Sequence, residues 1–306
     1  MIYEILLPLP IQKTFYYEVS RFSKGPKTIP TGTLVEVEFK NKVIVGIVVN
    51  LIKSTSLKKP LKQINKVLNP FFFNTEIIES INFISQYSCN KASMVLKMFL
   101  SNFPSRTLKI RYEPRKVNKK LEQKELALNS NQREVVNKIK AIPFKKFKVI
   151  LLEGVTGSGK TRVYMHKVIE VINQGYQCLI LVPEIILTTQ WVEDIKNDFD
   201  IDPTVYHSSI RKKEREEIWK KTNLSQEKLI IGTRSALFLP FTKLGLIVID
   251  EEHDSSYKQE EQLIINARDF SIVRAKNSSC LIILSSATPS LESSHNVKLK
   301  KYEYFK

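Results

Sequence analysis

The sequence predicts an α/β fold for most of the chain, with one lobe built on a parallel sheet and a small, β-rich α+β domain before it. Beyond Asn129, apolar segments of strand length alternate with segments of helical spacing, which is typical of a parallel sheet with crossover helices. The first 50 residues instead contain short apolar segments separated by turn residues. The predicted boundaries are 1–103 for the first domain, 104–129 for a linker and 130–306 for the lobe.

The first domain is predicted to contain four strands followed by helices. The strands are 2–7, 15–19, 34–39 and 43–52, with Pro, Gly and Ser between them. After Pro70 the apolar residues recur at helical spacing, so one or two helices should pack against the strands. The residues that carry this spacing are Ile77, Ile81, Ile84 and Tyr87, then Met94, Val95, Met98 and Phe99.

Charged residues dominate 104–129, and apolar residues become sparse there. Because such a segment offers little apolar surface to bury, we interpret it as a linker that is partly helical near its end.

The lobe should contain six strands and at least four helices. The predicted strands are 148–153, 177–182, 204–206, 228–232, 246–250 and 280–285. Helices are predicted near 161–174, 185–198, 211–221 and 266–277. Gly175 directly follows the first of these helices, in the position that favours glycine after a helix end.

A glycine-rich turn joins the strand 148–153 to the next helix. Residues 154–161 read GVTGSGKT, which matches the P-loop pattern GxxxxGKT. The backbone N–H groups of such a loop surround a phosphate at the N-terminus of a helix, so we expect ATP to bind here. Lys160 should reach the β- and γ-phosphates, and Thr161 should hold Mg²⁺. A chance match is the alternative, but the strand before the loop and the helix after it favour a nucleotide site. The expected contacts are Gly154, Thr156, Gly157, Ser158, Gly159, Lys160 and Thr161.

A second apolar strand ends in carboxylates, because residues 244–254 read LGLIVIDEEHD. Ligand sites of open α/β sheets lie at the carboxyl ends of the strands. Asp250 is therefore placed to hold Mg²⁺, and Glu251 could polarise the water that attacks the γ-phosphate. A solvated acidic turn is the alternative. His253 by itself is uninformative.

Composition limits the class of protein. The formal net charge is +17, from 48 Lys and Arg against 31 Asp and Glu, which favours a polyanionic partner such as nucleic acid. Genome base composition could also produce this excess.

Cys89, Cys178 and Cys280 are far apart, so they support neither disulfides nor a zinc site. The sequence contains no long apolar segment and does not begin like a signal peptide, so we expect a cytoplasmic protein without a membrane segment.

Further segments resemble those of superfamily 2 helicases of the DEAD/DEAH type, and they occur in the same order. They are LILVPEIILTTQ at 179–190, YHS at 206–208, IGTRSALF at 231–238, DEEHDSSYK at 250–258 and SSATPSLE at 285–292. The residues SSYK, which follow DEEHD, are similar to the residues that follow this box in the PriA-type replication restart helicases. The first domain also resembles the 3′-DNA-end-binding domain of that family, through 7–10, 14–17, 32–39 and 45–48.

The resemblance implies roles for particular residues. Gln132 matches the glutamine on the adenine side of the nucleotide site. Tyr257 and Lys258 fall in a DNA-sensing loop, while Ser286 and Thr288 belong to the segment that links hydrolysis to DNA. Capping or core packing remains an alternative for each. The segments that face a single strand contain Thr188, Gln190, His207, Ser208, Thr233, Arg234 and Ser235.

In the first domain, the resemblance implies that Phe15 and Tyr17 stack on a DNA end. Tyr16 stands where relatives often carry Asp, so a polar contact to a terminal nucleotide is less expected here than aromatic stacking.

The resemblance further implies an RecA-like lobe and the function of an ATP-dependent 3′-to-5′ DNA helicase, a hydrolase and isomerase in enzyme class. The cofactors would be ATP and Mg²⁺. The partners would be forked DNA, single-stranded DNA, 3′ ends, primosome proteins and single-strand-binding proteins. Another superfamily 2 translocase, or a non-catalytic ATP- and DNA-binding protein, is the alternative function.

The sequence departs from the family in three respects. The segment 104–130 is too short for the usual winged helix, since about 40 residues is near the lower limit for an autonomous domain. Fourteen residues follow Glu292 in this chain of 306, which leaves no room for a second lobe. The zinc module of the family is also missing, so no zinc ligands are expected. We therefore expect a truncated or split protein that binds ATP and DNA but hydrolyses ATP weakly and does not unwind DNA by itself.

Overall fold

A computed structural model of the chain describes residues 1–19, 28–53, 60–104, 128–259 and 264–306. The chain forms two compact units, Met1–Phe103 and Pro104–Lys306. Residues 105–127, most of the predicted linker, lie outside the described residues, so the linker stays a prediction. In the part that is described, no helix is long and apolar enough to cross a membrane.

The first unit contains a closed five-stranded barrel. Its strands are β1 (Ile2–Leu6), β2 (Phe15–Glu18), β3 (Thr33–Phe39), β4 (Lys42–Ile52) and β5 (Lys62–Phe72), in the spatial order β1-β2-β5-β3-β4. Strand β4 pairs antiparallel with both β1 and β3, and β2 pairs parallel with β5. Alternate side chains point inward and form the core, among them Tyr3, Ile5, Tyr17, Val35, Val37 and Val48.

Two helices complete the first unit, as predicted. They are α1 (Thr75–Tyr87) and α2 (Ala92–Leu100), which contact each other. Helix α1 begins after Asn74, whose side chain accepts a hydrogen bond from the backbone N–H of Ile77 at 3.2 Å. Of the apolar residues that predicted these helices, Ile77, Ile81 and Ile84 of α1 and Val95 and Phe99 of α2 are buried.

The second unit contains a parallel sheet of seven strands in the order β14-β6-β13-β10-β7-β9-β8. Helices lie between successive strands, and their apolar faces pack on the sheet in one core. The strands are β6 (Lys148–Glu153), β7 (Gln177–Leu181), β8 (Thr204–Tyr206), β9 (Leu229–Gly232), β10 (Leu244–Ile249), β13 (Leu281–Ser286) and β14 (Glu303–Phe305), and β11 (Lys258–Gln259) pairs with β12 (Ile265–Asn266).

The helices of this unit include four that the sequence predicted. They are α3 (Ser130–Ala141), α4 (Lys160–Asn173), α5 (Thr189–Phe199), α6 (Lys212–Asn223), α7 (Ala267–Asn277) and α8 (Leu291–Lys298). Gly175 has a φ of +85°, as its place after α4 requires. Helix α5 begins four residues later than predicted, because the backbone N–H groups of Ile186 and Leu187 bond back to Pro183 O in a turn and Thr188 caps the helix.

The fold brings the sequence motifs to one edge of the sheet. Strand β13 lies between β6 and β10, and Ser286 of β13 is in register with Glu153 of β6. Because all three strands are parallel, the glycine-rich turn after β6, the carboxylates after β10 and the turn after β13 lie at the same carboxyl edge.

Candidate functional site

The glycine-rich turn has the backbone conformation of a phosphate-binding loop. Gly157 and Gly159 adopt φ values of +76° and +80°, which favour glycine, and Lys160 begins α4 immediately afterwards. Lys160 is 8% exposed, and its ammonium group donates a hydrogen bond to Gly154 O at 2.7 Å. The loop therefore presents backbone N–H groups and one ammonium group at the N-terminus of a helix, an arrangement that suits an anion.

Gln132 ties α3 to this loop. Its backbone N–H donates to Asn129 Oδ1 at 2.8 Å, and its own Oε1 accepts from the Asn129 N–H at 3.0 Å, which makes a reciprocal cap. The side-chain Nε2 donates to Ser158 O at 2.8 Å. A Cβ atom on Gly159 would lie 2.5 Å from that Nε2, so the glycine makes room for the glutamine. The adenine contact of Gln132 stays a prediction, and the structure adds its contact with the loop.

Asp250 lies beyond the end of β10, where it is 6% exposed. Its Oδ1 accepts hydrogen bonds from Ser285 Oγ at 2.8 Å and from the Glu251 N–H at 3.2 Å, and its Oδ2 accepts one from Tyr164 OH at 3.1 Å. Burial raises the pKa of this carboxyl, while the hydrogen bonds from Ser285 and Tyr164 oppose that rise. The carboxylate is thus held in place by fixed donors.

Glu251 connects the acidic turn to the glycine-rich loop. It has a φ of +47°, a backbone conformation that few residues other than glycine adopt. Its Oε1 lies 3.6 Å from Lys160 Nζ, and its Oε2 lies 3.6 Å from His253 Nδ1. His253 Nδ1 is in turn 2.8 Å from Ser286 Oγ, which also accepts a hydrogen bond from the Thr288 N–H at 3.0 Å. A continuous set of contacts therefore joins β10, the loop and the turn after β13.

One cavity of about 640 Å³ contains most of the residues predicted for the nucleotide. They are Gln132, Thr156, Gly157, Ser158, Gly159, Lys160, Thr161, Asp250 and Glu251. Gly154 lines a neighbouring cavity of about 180 Å³. Trp191, Asp194 and Asp198 of α5 also line the larger cavity, and the sequence did not point to them. These residues are three and four apart in the sequence, and this spacing could have predicted that they share one face of a helix.

The donor atoms at this site fit magnesium. The hydroxyl of Thr161 and the carboxylate of Asp250 are hard oxygen donors, which Mg²⁺ prefers. Among the described residues, no group of three or more His, Cys, Asp or Glu side chains could hold a metal by itself. Cys89, Cys178 and Cys280 are free thiols.

Most residues predicted to face a single strand lie at the same carboxyl edge. Thr188, Gln190 and Ser208 are exposed, while His207, Arg234 and Ser235 are half-buried. Lys258, predicted for the sensing loop, is exposed, and of the two residues predicted to link hydrolysis to DNA, Thr288 is exposed and Ser286 is buried. These residues have local partners as well: Thr188 caps α5, Gln190 Nε2 donates to Asp194 Oδ1 at 2.8 Å, and Arg234 Nη1 donates to Lys258 O. Thr233 is 5% exposed, so its side chain offers little surface to a ligand. The DNA contacts of this group stay predictions.

Two aromatic residues do not lie where stacking on a base was expected. Tyr257 is 2% exposed, and its hydroxyl donates to Asp250 O at 2.6 Å and to Leu181 O at 3.1 Å. Tyr17 is 3% exposed in the barrel core, and its hydroxyl donates to Glu38 O at 3.1 Å. Strand alternation explains Tyr17, because its neighbours along β2 point outward. Neither ring offers an exposed face to a base in this structure, and the role of both residues in DNA binding stays a prediction.

The neighbours of Tyr17 on β2 are more accessible. Phe15 is half-buried, and its ring packs edge-on against Phe39 with 4.8 Å between centroids. Tyr16 lines a cavity of about 510 Å³ whose walls are Leu6, Ile11, Gln12, Lys13, Thr14, Ala92 and Ser93. Phe15 and Tyr16 are both half-buried, and of the two Tyr16 is the one that lines this cavity.

Two family models match the chain. The model described as DEAD/DEAH box helicase matches residues 129–297, and the model described as 3′DNA-binding domain (3′BD) matches residues 4–101.

Replication restart proteins of several bacteria match between 58% and 98% of the chain. The replication restart protein PriA of Rickettsia conorii is 38% identical over 278 residues, which cover 89% of this chain and 41% of that protein. PriA of Helicobacter pylori is 35% identical over 303 residues, 98% of this chain and 45% of that protein. PriA of Bacillus subtilis is 42% identical over 179 residues, 58% of this chain and 22% of that protein. The chain spans less than half the length of each.

Proposed function

This chain belongs to the DEAD/DEAH box helicase family, with replication restart proteins among its relatives, and we propose that it binds ATP with Mg²⁺ at the carboxyl edge of its parallel sheet and uses hydrolysis to act on DNA. The observation that carries this proposal is the 3.6 Å approach of Lys160 Nζ to Glu251 Oε1. It means that the phosphate-binding loop and the acidic turn line one cavity, as phosphoryl transfer requires.

The residues predicted for the nucleotide each have a chemical task in this proposal. The N–H groups of 156–161 surround the phosphates, and Lys160 offsets their charge. Thr161 and Asp250 would hold Mg²⁺, which would offset the negative charge that develops on the phosphates. Glu251 orients the attacking water and accepts its proton. Gln132 supports the loop and contacts the adenine.

The exposed residues at the same edge would meet the DNA. Thr188, Gln190, Ser208 and Lys258 can donate hydrogen bonds to phosphate oxygens, and the net charge of +17 favours such contacts. The contact of Ser286 with His253 offers a path by which DNA near Thr288 influences Glu251. In the first unit, the match to the 3′DNA-binding model supports binding of a DNA end.

The relatives suggest the biological role. We propose that the chain acts as a 3′-to-5′ helicase or DNA-dependent ATPase in replication restart, with forked DNA as substrate and primosome and single-strand-binding proteins as partners. A non-catalytic ATP- and DNA-binding role remains the second candidate, because many of the relatives' residues lie outside the span that this chain matches.

The test compares two variants with the wild type. Lys160→Ala should reduce ATP affinity below detection while circular dichroism stays unchanged, because the lysine meets phosphates. Glu251→Gln should keep ATP affinity but lower hydrolysis by about 10²- to 10⁴-fold, the usual contribution of a general base.

Phosphate release is measured with and without forked DNA. Stimulation by the fork in the wild type supports the enzyme, whereas binding of both ligands without hydrolysis supports the second candidate. Equal ATP affinity in Lys160→Ala and the wild type would contradict the assignment of the site.

A further inference from the structure

A buried tyrosine lies directly behind Asp250, one of the candidate magnesium ligands. Tyr164 is on the second turn of α4, four residues after Lys160, and its side chain is 0% exposed. Its hydroxyl donates a hydrogen bond to Asp250 Oδ2 at 3.1 Å. Tyr164 thus contacts a side chain that would hold the ion.

The hydrogen bond to Asp250 matters because the carboxylate is buried. An ionised carboxylate away from water needs donors, and each donor also restricts the rotation of the side chain. Ser285 Oγ and the Glu251 N–H meet Oδ1, whereas Tyr164 meets Oδ2. Without the tyrosine hydroxyl, Oδ2 would lose a donor on its buried side, and the carboxylate could turn away from the cavity.

We propose that Tyr164 is a positioning residue for magnesium, whose hydroxyl fixes the Asp250 carboxylate in the orientation that holds the ion. The inference rests on the proposed nucleotide site. Tyr164 itself meets neither nucleotide nor metal, so it acts through Asp250. Hydrogen-bond partners of metal ligands commonly change metal affinity by about 10- to 100-fold when they are removed.

The chain offers a matched control in Tyr257. Its side chain is also buried, and its hydroxyl also bonds to Asp250, but at the backbone carbonyl at 2.6 Å. Replacement by phenylalanine removes one buried hydroxyl in either case. Tyr257→Phe takes a donor from two backbone carbonyls, at Asp250 and Leu181, whereas only Tyr164→Phe takes a donor from the carboxylate.

The experiment measures the affinity of a fluorescent ATP analogue in EDTA and across a Mg²⁺ titration. In Tyr164→Phe, the affinity in EDTA should stay within about twofold of the wild type, and the Mg²⁺ concentration at half-maximal enhancement should rise about tenfold. Tyr257→Phe should keep the Mg²⁺ dependence of the wild type. If Tyr164→Phe does not fold, as shown by circular dichroism, Tyr164→Met carries the same expectation.

Other outcomes distinguish a failure of the role proposed for Tyr164 from a failure of the proposed magnesium site. Unchanged Mg²⁺ dependence in Tyr164→Phe, or an equal loss in both tyrosine variants, would overturn the role of Tyr164. Asp250→Asn should abolish the Mg²⁺ enhancement altogether. If it does not, the magnesium site itself is misassigned, and the proposed function fails first.

Discussion

Glu252 accepts a hydrogen bond from Arg268 Nη1 at 3.2 Å, and both side chains are buried, at 2% and 7% exposure. Glu252 lies between Glu251 and His253 but points away from the nucleotide cavity. It also accepts hydrogen bonds from the Ser290 N–H at 2.7 Å and from Ser293 Oγ at 3.1 Å. One carboxylate thus joins the acidic turn to α7 and to the N-terminus of α8.

We expect Glu252→Ala to destabilise the second unit by about 1–3 kcal/mol, because buried donors of Arg268, Ser290 and Ser293 lose their acceptor, although Asp269 still pairs with Arg268. Urea unfolding measures the change in the free energy of unfolding. The neighbouring Glu251→Gln serves as a control, since its loss should reduce hydrolysis with little effect on stability. Equal stability of the two variants would contradict the anchoring role of Glu252.

The raised pKa of Asp250 predicts a pH-dependent gain in stability for Asp250→Asn. Burial raises the pKa in the folded state, so the ionised carboxylate costs folding free energy at neutral pH, and that cost disappears as the pH falls below the pKa of the unfolded chain. Asparagine removes the charge and keeps an oxygen acceptor for Ser285. The variant should therefore be more stable than the wild type at pH 7, and the difference should shrink toward pH ~4.

Urea titrations at both pH values measure this difference. A variant that is less stable than the wild type at pH 7 would show that the hydrogen bonds to the carboxylate outweigh its burial.

Two glycines of the loop should respond differently to alanine. Both have positive φ values, so either substitution should cost about 1–2 kcal/mol. A Cβ on Gly159 would also lie 2.5 Å from Gln132 Nε2, whereas a Cβ on Gly157 has no neighbour within 4 Å. Gly159→Ala should therefore weaken ATP binding more than Gly157→Ala does, because it displaces the glutamine. Isothermal titration with ATP measures both affinities, and equal losses would contradict the coupling of Gln132 to the loop.

The exposure of β2 predicts which tyrosine of the first unit affects DNA binding. Tyr16→Ala should weaken the affinity for DNA with a free 3′ end, because Tyr16 lines an open cavity. Tyr17→Phe should not, because Tyr17 is in the barrel core. Fluorescence anisotropy at two salt concentrations measures the affinities, and binding by the wild type should weaken strongly as salt rises. A larger loss in Tyr17→Phe than in Tyr16→Ala would refute this reading of the strand.

The sequence predicted the parallel sheet and the grouping of the loop with the acidic turn because their signals are local. The strand 148–153 has its predicted bounds, and loop residues 156–161 line one cavity with Asp250 and Glu251. Strand β5 was not predicted, because the exposed polar residues at its start interrupt the apolar alternation that indicates a strand. These residues are Lys62, Gln63, Asn65 and Lys66. Helix α8 was missed because its residues are mostly polar and its anchor, Glu252, is 38 residues before Ser290.

Side-chain direction was the harder part to predict. Tyr257 follows an acidic segment and reads as an exposed loop residue, yet its ring is buried because its hydroxyl bonds to the backbone of two strands, β7 at Leu181 and the end of β10 at Asp250. Trp191 and Tyr164 reach the site through helix packing. Such contacts join residues that are distant in the sequence, and no local pattern encodes them.

The closed barrel of the first unit determines how other molecules can recognise it. An open sheet ends in strands whose unpaired N–H and C=O groups can recruit a further strand from another chain, whereas a closed barrel has no such edge. Among the described residues, strand addition by a peptide is therefore excluded wherever barrel strands pair. Strand β2 pairs with β5 at Lys62 and Gln63, so β2 does not cover the rest of that side of β5. Along the paired strands, a ligand must be selected by side chains and loops instead.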